Sequence, residues 1–181
     1  MKRLFSVVLI VTLALTVVFQ AVTNHRLYNR LRDARRELPA LHRPFPPLRG
    51  TTGLGLPVSF DFAGTQSPAL LLAFYPECPY CQENWPNWKA IAARAAAHGI
   101  RVYYVNVTPD PVSSRYCAKV QIPCQDVLNS VSSDDILMYR LDRTPISEII
   151  DRKGQLLYQV SGLLDKPAME RLESFLTIAA L

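Results

Sequence analysis

Leu70-Leu71-Leu72-Ala73-Phe74-Tyr75-Pro76-Glu77-Cys78-Pro79-Tyr80-Cys81 decides how this chain reads. The apolar run at its start is a buried strand bounded by a proline turn. Two cysteines follow, two residues apart, and then a long helical pattern from Gln82 to His98. A strand that delivers Cys-x-x-Cys to the start of a helix is the setting in which that motif reads as redox chemistry. The unpaired N–H groups and partial positive charge of a helix N-terminus favour a thiolate there. Cys78 is therefore the expected nucleophile. Cys81 lies one turn further on, within reach to close a disulfide with it.

Around this stretch the elements follow in order. Val58 to Phe62 alternates as a strand, and 63–68 is a turn before the buried strand Ala69 to Phe74. The helix carries Trp85, Trp88, Ile91, Ala92 and Ala95 on one face, with Gly99 as its stop. Pro86 lies inside it and is expected to kink it. Arg101 to Val107 is β-branched and aromatic, a third strand. Ser113 or Ser114 caps a helix running to about Val120. Asp134 to Tyr139 reads as one or two helical turns. Ile146 to Ile150 and Gln155 to Val160 flank a hairpin turn at 151–154, and Lys166 to Ala180 is a closing amphipathic helix. Strands mixed with helices in this order predict an α/β sandwich around a mixed sheet.

Residues Leu4 to Val22 contain no charged side chain and follow Met1-Lys2-Arg3. Nineteen residues span about 28 Å as a helix, close to the hydrocarbon core of a bilayer. Phe19-Gln20-Ala21-Val22-Thr23 offers no good small-residue cleavage site, so an uncleaved anchor is expected over 4–22. A removed signal peptide is the alternative, and it changes localisation only from tethered to free. Asn24 to Leu38 spaces leucines helically among arginines, a juxtamembrane amphipathic helix. Pro39, Pro44, Pro46 and Pro47 then make a stiff spacer. The organisation expected is residues 1–3 in the cytoplasm, 4–22 in the membrane, 23–50 a helix and linker, and 51–181 one folded domain.

The five arginines after the span would hold that side in the cytoplasm by charge count. The four cysteines all follow the span, and an even number suits an oxidising compartment. We adopt the second reading: a single-pass protein of the cytoplasmic membrane with its domain in the periplasm or outside. The net charge of +5 is concentrated in the first 50 residues and the rest is near neutral. No interleaved basic and aromatic pattern points to nucleic acid.

Cys78-Pro79-Tyr80-Cys81 after a strand ending in aromatics, Pro86 five residues later, and Thr144-Pro145-Ile146-Ser147-Glu148-Ile149-Ile150-Asp151-Arg152-Lys153-Gly154 together resemble the thioredoxin superfamily. The closest likeness is to its membrane-anchored TlpA/ResA-like thiol-disulfide oxidoreductases. Gly162 falls where that family places a glycine after the next strand. The resemblance covers about residues 54 to 178. It implies a thioredoxin-like three-layer α/β/α sandwich with Pro145 in a cis peptide bond beside the cysteines. It also implies that Pro79, Tyr80, Thr144 and Pro145 contact substrate, the Thr144 backbone pairing with an extended segment.

The implied activity is exchange between the Cys78/Cys81 dithiol and protein disulfides, with reduction the expected direction and disulfide donation or isomerisation the alternative. Apocytochrome c cysteines are a plausible substrate, and a membrane thiol carrier the implied electron source. Nothing resembles a nucleotide site, and no bound cofactor or metal is implied.

The chain also departs from that pattern. Leu72 stands where many thioredoxins carry a buried aspartate, and Glu77 where they usually have tryptophan. Tyr80 and Asn84 occupy positions where ResA-like proteins often have glutamate. The sequence assigns no group to the proton of Cys81. Cys117 and Cys124, with six residues between them, read first as a loop-closing structural disulfide; a second redox pair or free thiols are the other readings. A four-cysteine zinc site is disfavoured because Cys117 and Cys124 do not form a second knuckle. A peroxiredoxin would need threonine where Tyr75 stands. His25, His42 and His98 show no convergent spacing.

Overall fold

The computed structural model describes residues 12–27, 37–39, 44–45, 47–63 and 67–180, the segment 37–39 by its backbone only. The chain forms two compact units, Met1–Arg36 and Glu37–Leu181. In the first, residues 12–27 are one helix, α1. Its apolar side chains Leu13, Leu15, Val17, Val18, Phe19 and Val22 are exposed. Among the described residues no helix is long and apolar enough to cross a membrane. Residues 4–11 of the expected anchor, and 28–36 of the expected juxtamembrane helix, lie outside the described residues.

The second unit is built on one sheet of eight described strands, in the order β1-β8-β7-β4-β5-β6-β2-β3. These are β1 Glu37–Pro39, β2 Leu48–Thr52, β3 Pro57–Phe60, β4 Ala69–Phe74, β5 Arg101–Asn106, β6 Val127–Asn129, β7 Ile146–Ile150 and β8 Leu156–Ser161. The helices are α2 Pro79–Ala97, α3 Ser114–Val120, α4 Ser133–Met138 and α5 Lys166–Ala180, with a 3-10 turn at Cys124–Asp126. β4 lies centrally, parallel to β5 and antiparallel to β7. All six of its residues are buried because both faces are covered. Leu70, Leu72 and Phe74 join the core shared with α2 and α5, while Ala69, Leu71 and Ala73 join a second core on the opposite face. This is the strand's period-two alternation.

In α2, Cys81, Trp85, Trp88, Ile91 and Ala95 are buried at helical spacing. The helix begins at Pro79, three residues before the sequence expectation, since proline suits a first helical position. It runs through Pro86, which costs it one hydrogen-bond donor. Gly99 at φ +71° ends it: Gly99 N–H donates to Ala96 O and Ile100 N–H to Ala95 O, a Schellman closure. Asn84 Oδ1 accepts from Leu164 N–H at 3.0 Å and Asn87 Nδ2 donates to Leu164 O at 2.7 Å, tying α2 to the β8–α5 connection.

The segment read as a stiff spacer needs correction. β1 pairs with β8, Pro44 bridges Gln155, and β2 begins at Leu48, so the sheet reaches back before residue 51. Phe45 anchors this stretch, buried and stacked on Tyr139 with ring centroids 4.2 Å apart. The prolines suggested a linker, but the buried aromatic between them fixes the segment to the core.

Candidate active site

The site forms where β4 ends. Cys78 is the N-cap of α2, in extended conformation at φ −70° and ψ 118°. Its N–H donates to Tyr75 O at 3.1 Å, and its carbonyl accepts from Gln82 N–H at 3.1 Å. The Cys78 side chain is half-buried and that of Cys81 fully buried; both are free thiols. One sulfur can therefore meet a partner in solution while the other is held behind it.

Burial pushes the Cys81 thiol up to about 12, and the adjacent Cys78 pushes the same way; the Tyr75 backbone and the Thr144 hydroxyl oppose this. Leu72 lies in the apolar core, so that strand position supplies no proton acceptor. Tyr116 stacks parallel to Phe74 at 5.8 Å, and its phenol is also pushed up to about 12, chiefly by burial and further by Cys81. Tyr75 Oη donates to Glu77 Oε2 at 2.9 Å. That bond and the Glu77 charge raise the Tyr75 phenol.

The Thr144–Pro145 peptide is cis. Pro145 is buried, and its carbonyl accepts from Gly162 N–H at 2.7 Å. Thr144, Cys78 and Cys81 come together, while Pro79 and Tyr80 are exposed on the outer side of the helix start. Cys117 and Cys124 are bonded to each other, with Cα atoms 5.5 Å apart. They are thus not four free thiolates with Cys78 and Cys81. Gly53 lies directly against this bond: a Cβ there would stand 2.7 Å from Cys124 Sγ and 2.8 Å from Cys124 O.

An open groove of about 750 Å³ borders the residues just before Cys78 and Pro145. Its lining includes Tyr75, Glu77, Pro109, Val112, Tyr116 and Thr144. Sequence reading did not single out Tyr75, Tyr116 or the 108–113 segment for this place. The signal available was position alone: the loop after β5 leaves the sheet at the same end as the loop after β4.

No protein-family model matches the chain, and no curated protein matches it in sequence. Solved structures do match in fold. One is a Chlorobium tepidum protein described as the thiol:disulfide interchange protein DsbE, with TM-score 0.62, 23% identity, 80% of this chain and 100% of that one. A secreted Mycobacterium tuberculosis disulfide oxidoreductase homologous to E. coli DsbE matches with TM-score 0.56, 20% identity, 72% of this chain and 94% of that one. A SCO1/SenC family lipoprotein of Bacillus anthracis matches with TM-score 0.61, 15% identity, 78% of this chain and 98% of that one. The mixed sheet and its helices thus match in architecture, and this chain has the thioredoxin-like α/β fold.

Proposed function

We propose that this protein is an extracytoplasmic thiol-disulfide oxidoreductase that works through Cys78 and Cys81 and reduces protein disulfides. The observation that carries this is the pairing of a half-buried cysteine at a helix N-cap with a buried cysteine one turn later, beside a cis Thr144–Pro145 bond. The Cys78 thiolate attacks one sulfur of a substrate disulfide. That S–S bond breaks, its second sulfur leaves as a thiolate and takes a proton from water, and a mixed disulfide forms. Cys81 then loses its proton and attacks Cys78 Sγ. The substrate's remaining sulfur leaves reduced, and Cys78–Cys81 is left oxidised, two electrons having passed to the substrate. Half-buried Thr144, on the lining of the groove, suits contact with an extended substrate segment.

Apocytochrome c cysteines are the substrate this reading favours, and a membrane thiol carrier restores the dithiol. The apolar N-terminal segment tethers the domain outside the cytoplasmic membrane. The fold neighbours described above include a secreted protein and a lipoprotein, which supports a place outside the cytoplasm.

The deciding measurement is the reduction potential of the Cys78/Cys81 couple in the full chain, held in detergent and equilibrated with glutathione and dithiothreitol buffers. A value near or below roughly −270 mV is expected for a reductase. A value toward roughly −120 mV would make the protein a disulfide donor instead. If no two-electron couple titrates, the oxidoreductase reading fails.

A further inference from the structure

Thr108-Pro109-Asp110-Pro111-Val112 follows β5 and supplies one wall of the groove beside Cys78. Two prolines leave this segment short of backbone donors, which disfavours its joining a strand ladder. Its polar backbone groups instead find partners on two asparagines. Asn106 ends β5 and Asn129 ends β6, at the end of the sheet where β4 delivers Cys78. Both are buried, at 0% and 1% exposure.

Asn106 Nδ2 donates to Asp110 O at 2.8 Å and to Asn129 Oδ1 at 3.0 Å. Asn106 Oδ1 accepts from Thr108 N–H at 3.2 Å and lies 2.8 Å from Thr108 Oγ1. Asn129 Oδ1 also accepts from Val112 N–H at 3.1 Å, and Asn129 Nδ2 donates to Val112 O at 3.2 Å. Each amide is used in both directions, the arrangement that a buried polar group needs to be favourable. The surroundings have no slack: a Cβ on Gly50 would stand 2.1 Å from Asn129 O.

Resting on the redox reading above, we propose that Asn106 and Asn129 are positioning residues that hold 108–112 as a fixed wall for polypeptide disulfides. Their side-chain hydrogen bonds go to each other and to Thr108, Asp110 and Val112. They act by ordering, in advance, the surface against which a chain flanking the disulfide lies, so that binding does not have to order it. A disulfide too small to touch this wall gains nothing from them.

The test compares two second-order rate constants for the reduced full chain in detergent, one with insulin and one with 2-hydroxyethyl disulfide. Asn129→Ala should lower the insulin-to-small-disulfide ratio about tenfold. General loosening of the fold lowers both rates together and leaves the ratio unmoved. An unchanged ratio in a folded Asn129→Ala protein overturns the proposal. Hydrogen exchange in the unaltered chain tests the clamp without any variant. The Val112 amide should exchange far more slowly than that of exposed Ser114, and equal rates overturn the clamp. If the unaltered chain reduces neither disulfide, the redox reading fails, and the amide measurement still decides whether the segment is held.

Discussion

The molecule carries two cysteine pairs in different states. Cys78 and Cys81 sit at a helix start with one sulfur half-exposed, the other buried, and no bond between them. Cys117 and Cys124 are joined, and they close a short loop from inside α3 to the 3-10 turn before β6. Gly53 presses its backbone on that bond, and Gly53 N–H donates to Cys124 O at 3.0 Å. The first pair has a neighbouring groove to receive a partner; the second has backbone packed where a partner would come. Spacing alone does not separate such pairs. Burial does not separate them either, since each pair has one half-buried and one buried cysteine; what separates them is the bond between Cys117 and Cys124 and the Gly53 backbone packed on it.

The largest effect that would test this contrast comes from the first pair. Cys78→Ser should abolish reduction of any disulfide, because no other sulfur at the site is open to solvent. Cys81→Ser should leave the first attack intact and stop the second, so that a stable mixed disulfide with insulin accumulates. Mass spectrometry of the quenched reaction reads both. Equal adduct formation at Cys124 would break the comparison outright.

The pH dependence sharpens it next. Cys81 is held neutral by burial to about pH 12, so its attack on Cys78 needs a proton removed first. The mixed disulfide should therefore resolve about tenfold faster per pH unit between roughly pH 7 and 9, followed by stopped flow. Stability carries the same signature with a definite sign. The folded thiol titrates above the unfolded one, so its contribution is complete below about pH 9 and is lost as pH rises toward 12. Only the reduced protein has this group. The stability gap between oxidised and reduced forms should widen over that range. A flat resolution rate would mean that a base already holds the proton.

Much of this was readable from residues. The β4 run, the Cys-x-x-Cys, the amphipathic face of α2 and the Thr144-Pro145 segment are strong local signals, and they fix the sheet's centre and the site on it. The periphery was not readable in the same way. β2 is Leu-Arg-Gly-Thr-Thr and β6 only three residues, so neither shows a period, and both exist through pairing with partners distant in sequence. Phe45 was hidden among prolines. Asn106 and Asn129 look like ordinary strand-end polar residues until the fold sets them 3.0 Å apart. Contacts across 23 residues have no local signature.

The smallest expected effect concerns the second pair and is measured as stability. Replacing Cys117 and Cys124 together by serine opens a loop with seven-residue sequence separation. On the chain-entropy account this costs about 2–3 kcal/mol, with a buried hydroxyl at position 117 adding to it. The urea midpoint should fall accordingly with little change in slope. The potential of the Cys78/Cys81 couple should not move, because the bond acts through the fold of α3 and not through electrons. The two quantities separate the roles. A fall in stability with an unchanged potential keeps one pair for chemistry and the other for architecture. Loss of turnover with a membrane thiol donor, at unchanged stability, would instead make Cys117–Cys124 a relay, and the packing of Gly53 against Cys124 would then have to open in each cycle.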